Sequence, residues 1–214
     1  MVTHARCRRF ITFTEKLETM FDFRKPDPAQ ISDFIKVQAQ QEFTYSSLGA
    51  TRAPTPPVGF QVDHNRICLG QGRAVYEQAM RALQDWQHFR LNWVSLHHPD
   101  TLPEPGQTVA ILAQALGLWV LNASRVVYVL EETEPIQRYA FAYGTLPEHA
   151  ECGEERFQVE WRADDDSVWY DLYAFSRPQQ LLTKIAYPYV RHKQKQFARD
   201  SLQAMKAAVE KYKI

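Results

Sequence analysis

Alternation of side chains between Tyr139 and Phe175 constrains this chain more than any other feature. Phe157, Val159 and Trp161 alternate with Arg156, Gln158, Glu160 and Arg162. Successive strand side chains point to opposite faces, so this run buries one face and wets the other. Ala163 to Ser167 carries Asp164, Asp165 and Asp166, whose short side chains bond their own backbone in turns. The run Val168 to Phe175 is rich in aromatic and branched residues, which suits a pleated surface, and the two runs predict an antiparallel hairpin. Upstream, Tyr139, Phe141 and Tyr143 alternate with Ala140, Ala142 and Gly144, as in a sheet curving over something. The spacing predicts a ten-residue loop, Thr145 to Glu154, between this run and the hairpin.

A helix follows Ser176-Arg177-Pro178. Leu182, Ile185, Tyr189, Lys193, Phe197, Leu202, Met205, Val209 and Tyr212 trace one stripe. Pro188 removes a backbone donor and is expected to kink or split the helix. The part from Tyr189 to Tyr212 would span about 35 Å at about 1.5 Å per residue. Arg191, His192, Lys195, Arg199, Lys206 and Lys211 are assigned to its outer, solvated face.

The N-terminal part is less regular. Met1 to Phe23 shows no period. Pro26 and Pro28 precede a helix predicted over Ala29 to Gln41. Phe43 to Arg52 (FTYSSLGATR) reads as loop with a short strand, and Ala53 to Pro57 as a stiff spacer. The expected organisation is an N-terminal extension over residues 1–57, with a short helix packed on a main domain over residues 58–214. In that domain a strand runs from Val58 to Leu69. Gly70 and Gly72 form a turn, because no full phosphate-loop pattern follows them. A helix is expected over Arg73 to Phe89, then strands at Leu91 to Leu96, Val109 to Leu112 and Leu118 to Glu132. In the last, Val126, Tyr128 and Leu130 are placed on one face and Arg125, Val127 and Val129 on the other. The order predicts an α+β fold, a curved antiparallel sheet wrapped around one long C-terminal helix.

The 25 basic and 25 acidic residues cancel, which argues against nucleic acid as the main partner. Cys7, Cys68 and Cys152 form no CxxC pair or disulfide framework, so a reducing, cytoplasmic setting is expected. The opening MVTHARCRRFITF lacks the apolar core of a secretory signal; an organellar transit peptide is the alternative, weakened by Glu15 and Glu18. No apolar run reaches the roughly 20 residues of a membrane span, which leaves peripheral membrane contact open.

The densest titratable cluster is His149 to Arg156. If the strand begins by Glu155, that carboxylate shares a face with Phe157, Val159 and Trp161. Burial there calls for a raised pKa or a cationic partner, with Arg125 and Arg177 as candidates. Glu155, Glu154 and His149 are therefore the candidate acid–base groups, and a structural Glu–Arg pair is the competing explanation. Tyr128, Tyr143, Trp161, Trp169 and Tyr170 are candidates to line a ligand cavity, or else a sheet core. His97 and His98 diverge as neighbours, and His149 with Glu151 and Glu154 makes only a partial ligand set, so no metal or other cofactor is expected. Cys152 near His149 is the one nucleophile pair in reach, and no Ser elbow occurs.

Several segments carry a resemblance: FRKP (Phe23 to Pro26), FTYSSLGATR, LGQG (Leu69 to Gly72) and RVVYV (Arg125 to Val129). FAYGTLPEHAECGEERFQVEW (Phe141 to Trp161), SVWYDLYAFSRP (Ser167 to Pro178) and QxxFARDSLxAM (Gln194 to Met205) extend it over most of the chain. The chain resembles the uncharacterised domain-of-unknown-function family numbered nineteen-ninety, which is similar to START-like, birch-pollen-allergen-like helix-grip proteins. The family usually has a small residue where Cys152 stands. The resemblance implies a sheet gripping a long helix with an apolar cavity between. Members of the superfamily bind lipids, hormones or polyketides, and some are cyclases or hydrolases.

The first expectation is a non-enzymatic carrier of an apolar small molecule or lipid, contacting Arg125, Tyr128, Tyr143, Glu155, Trp161, Trp169, Tyr170 and Arg177. The second is a cyclase- or hydrolase-type enzyme using Glu154, Glu155 and His149. The third is a ligand-free interaction module. Oligomeric state is left open.

Overall fold

The computed structural model describes residues 21–53, 55–97, 101–134 and 136–211. Eight strands form one antiparallel sheet. They are β1 (Phe21–Asp22), β2 (Gln61–Gln71), β3 (Val94–His97), β4 (Thr108–Ala115), β5 (Leu118–Glu132), β6 (Gln137–Thr145), β7 (Glu151–Trp161) and β8 (Ser167–Pro178). The order is β2-β8-β7-β6-β5-β4-β3, and β1 pairs with the first part of β5. The helices are α1 (Pro28–Gln38), α2 (Arg73–Gln84), α3 (Leu181–Ile185) and α4 (Tyr187–Glu210), with 3-10 turns at Ala50–Arg52 and Gln87–Phe89. The expected α+β architecture is the one observed: the sheet curls as a half-barrel around the C-terminal helix. His98 lies outside the described residues.

The hairpin predicted across the acidic turn is the β7–β8 pair, registered Phe157 to Leu172 and Trp161 to Val168. Its strands are longer than the apolar alternation suggests. β7 begins at Glu151, so the connection from β6 is only residues 146–150. Polar residues hide that start, because Glu151, Cys152 and Glu154 are turn-like by composition yet pair along β8.

β5 corrects a second expectation. A bulge between Val126 and Tyr128 inserts one residue opposite β6. Because the side-chain period is two, one extra residue inverts the faces beyond it. Val126 pairs with Tyr143 and Val129 with Phe141, facing the core, whereas Tyr128 pairs with Ala142 on the convex side.

The helix splits where Pro188 predicts. α3 ends at Ile185, and proline occupies the first turn of α4, where its missing donor costs nothing. Along α4, Ala198, Ser201, Met205 and Val209 are buried. Its C-terminal half packs with α2 on the concave face, where Tyr76, Ala79, Leu83, Trp86, Phe141, Phe157, Val159 and Tyr170 form the main core. α2 thus wedges shut one half of the space between sheet and α4. The convex face is covered separately. Ile31, Phe34 and Ile35 of α1 pack on Ala110, Leu112 and Leu121, and residues 43–52 run as a strap over β6 and β7.

His88 sits in the closed half with no exposure, against Trp86, Phe89, Phe141 and Phe157. Neither ring nitrogen has a hydrogen-bond partner among the described residues. Burial lowers its pKa to about 3, so the ring is neutral.

Candidate functional site

Beyond Phe89, towards the N-terminal half of α4, the space between sheet and helix is open. It forms a cavity of about 720 Å³, within the size range of small-molecule sites. Phe89, Val94, Ile111, Leu172, Val190 and Phe197 give it apolar walls. Asp63, Tyr143, Glu151, Glu155, Lys193 and Gln194 give it a polar side.

Strand parity places the acids. Glu151, Gly153 and Glu155 alternate with Cys152 and Glu154 and share the concave face with Phe157. Gly153 has no room for a side chain, since a Cβ there would collide with the carbonyl oxygen of Phe175. The Tyr143 hydroxyl donates to Glu155 Oε2 at 2.6 Å. Burial raises the Glu155 carboxyl to about 7; the Tyr143 bond opposes that shift and the nearby Asp63 adds to it. Tyr143 is itself pushed well above its ordinary value, chiefly by burial.

Glu151 is 7% exposed, and neither carboxylate oxygen has a hydrogen-bond partner among the described residues. Ser176 and Gln194 lie near enough to favour its charged form, but Gln194 Nε2 donates to Ser176 Oγ at 3.1 Å. Burial outweighs them and Arg191, and the carboxyl is raised to about 7. Arg191 forks onto Asp63 with two contacts, 2.5 and 2.6 Å. This corrects the outer-face assignment of Arg191, which turns inward to bind β2. His149 Nδ1 accepts from the Glu151 backbone N–H at 3.0 Å, and burial lowers the ring to about 4.

The other candidates lie elsewhere. Glu154 faces the convex side, where Tyr45 Oη, Gly49 N, Thr51 N and Thr51 Oγ1 all donate to its carboxylate. Tyr128 bonds Thr51 and lies under Arg52. Arg125 caps the end of α1 through the carbonyls of Gln38, Ala39 and Gln41, and Arg177 is exposed above Phe60. Neither arginine reaches Glu155, whose partner is Tyr143. Trp169 lies under Arg66 on the convex side, Trp161 stacks on Tyr76, and Tyr170 bonds Ser201 of α4 in the closed half. Cys152 points at the strap, its Sγ 3.3 Å from Thr44 O, so it does not meet His149. Among the described residues no group of three His, Cys, Asp or Glu side chains could hold a metal ion.

Of the expected site, the cavity gathers Tyr143, Glu155 and His149. It adds Asp63, Glu151, Lys193 and Gln194, with Arg191 bound to Asp63. Glu151 is within reach of the parity argument, since two further steps back from Glu155 put it on the same face.

The profile of the family described as Domain of unknown function (DUF1990) matches residues 44–204. The chain belongs to this family. A UPF0548 protein of Dictyostelium discoideum is 34% identical over 207 residues, 89% of this chain and 96% of that protein. A UPF0548 protein of Arabidopsis thaliana is 37% identical over 150 residues, 69% of this chain and 72% of the other. Among solved structures, the protein TTHA0849 of Thermus thermophilus superposes with a TM-score of 0.52 at 14% identity, covering 72% of this chain and 100% of that one. That likeness is one of fold. The DUF1990 chain has a helix-grip architecture, a curled antiparallel sheet around a long C-terminal helix. Among its described residues no helix is long and apolar enough to cross a membrane.

Proposed function

We propose that this chain binds a small amphipathic molecule, with an apolar body and one polar end, between the sheet and the N-terminal half of α4. The observation that carries the reading is the cavity of about 720 Å³, with apolar walls and a few convergent polar groups. In the half closed by α2 the same fold fills this space with side chains; the other half is left open. The ligand-binding role passes from the eight residues expected to Tyr143 and Glu155, with Phe89, Ile111, Leu172 and Phe197 as the apolar contacts. A cytoplasmic carrier is the setting that fits the cysteine pattern.

Nile red, a neutral polarity-sensitive dye, tests this. Saturable fluorescence enhancement is expected for the native chain. Ala174 lines the cavity opposite Glu155, so Ala174→Trp should abolish the enhancement while the variant still melts cooperatively. Equal enhancement in both proteins would sink the proposal.

A second reading uses the same ligand position for proton transfer. A carboxyl near pKa 7, held by a tyrosine inside a cavity, is matched to general acid–base work at neutral pH. Glu155→Gln would then stop turnover of a bound ligand and leave its binding intact; turnover by Glu155→Gln at the native rate would count against it.

A further inference from the structure

The charges around the cavity do not balance, and the imbalance points to the ligand's polar end. Four acids line the space, and three of them, Asp63, Glu151 and Glu155, are free of the strap that holds the Glu154 carboxylate. Asp63 is neutralised by the Arg191 fork. Glu155 holds one neutral donor, Tyr143. Glu151 is more than nine-tenths buried, lines the cavity and has no ion-pair partner among the described residues, with only the neutral Ser176 and Gln194 side chains beside it and neither oxygen in a close hydrogen bond.

Two lysines of α4, Lys193 and Lys195, also line the cavity. Lys193 Nζ sits 4.4 Å from the centre of the Trp93 ring and donates to Gln196 at 3.1 Å. Lys195 lies at the exposed rim of the cavity. A buried carboxylate without a partner is costly, and that cost is recovered when a charged donor fills the gap. A ligand carboxylate or phosphate beside Glu151 would instead meet a second buried acid, Glu155, on the same face of β7.

We infer that the cavity takes the protonated amine of an amphipathic ligand, with Glu151 as its acceptor. This rests on the ligand-binding reading above and narrows it to cationic amphiphiles. Glu155 stands four residues along β7, about 13 Å away at about 3.3 Å per residue. The apolar chain therefore runs from Glu151 past Gly153 and Glu155 towards Phe89 and Ile111. Gly153 leaves the passage between the two acids free of a side chain.

The test compares three probes of one chain length, decylammonium, decanol and decanoate, by isothermal titration on the full chain at pH 7. A charge-assisted hydrogen bond predicts that decylammonium binds at least about tenfold more tightly than either other probe. Glu151→Gln, which keeps the shape, should reduce that preference to about threefold or less. Decanoate or decanol binding as tightly as decylammonium would overturn the inference and leave the carrier reading standing. So would an unchanged preference in Glu151→Gln. Failure of all three probes to bind would overturn both. The comparison on the native chain decides even if the variant folds poorly.

Discussion

Glu151, Glu155 and His88 are buried titratable groups with opposite effects on stability as pH changes. The two glutamates have folded pKa values near 7 against 4.5 for the ordinary group. The folded state therefore binds protons that the unfolded chain releases. Their contribution is complete below about 4.5 and is lost as pH rises to about 7, up to about 3 kcal/mol each. His88 is lowered from 6.5 to about 3. Its contribution is complete above 6.5 and is lost as pH falls towards 3, up to about 5 kcal/mol. His149, lowered by burial to about 4, acts in the same direction as His88, so denaturant unfolding across pH should show a broad maximum between about pH 4.5 and 6.5. Glu151→Gln and Glu155→Gln should each flatten the alkaline side, and His88→Leu the acid side. At pH 7, His88→Leu should also gain about 1–2 kcal/mol by removing two buried polar atoms with no partner. Unaltered slopes in all three variants would contradict these assignments.

At the scale of elements, the strap and the sheet depend on each other through Glu154 and Gly144. Four donors from residues 45–51 converge on the Glu154 carboxylate. Glu154→Ala should leave them buried and unpaired and cost roughly 3 kcal/mol or more. Limited proteolysis would then cut within residues 43–52, and an unchanged pattern would argue that the strap is held another way. A Cβ at Gly144 would collide with the Tyr45 ring, so Gly144→Ala should destabilise by about 2 kcal/mol and largely lose that cost when combined with Tyr45→Ala. These elements also show what the sequence makes legible. The alternation of Phe157, Val159 and Trp161 gives the hairpin, and Pro188 gives the helix break, because each rests on local geometry. The bulge at Val126 to Tyr128 has no local signature, so simple alternation assigns Tyr128 to a cavity it faces away from. The polar start of β7 is hidden for a related reason. Its partner is β8, and Glu151 and Glu154 look like turn residues until that pairing is known.

Across the whole molecule, one helix makes two kinds of contact with one sheet. Met205 and Val209 seal the half shared with α2, whereas Lys193, Gln194 and Phe197 stand over open space. The division depends on α2 and His88 filling the concave face at one end, a feature no local period reveals. Parity places Glu155 on the concave face, but Arg191 can be assigned inward only once β2 and α4 are seen together. The open half is proposed to hold a ligand. Native mass spectrometry of the purified chain, beside its denatured mass, tests this most directly. A ligand held there predicts a reproducible excess mass that is released on denaturation, carries an amine, and is missing from Ala174→Trp. A single bare mass for both proteins, with no titratable binding of decylammonium to the native chain, would contradict it.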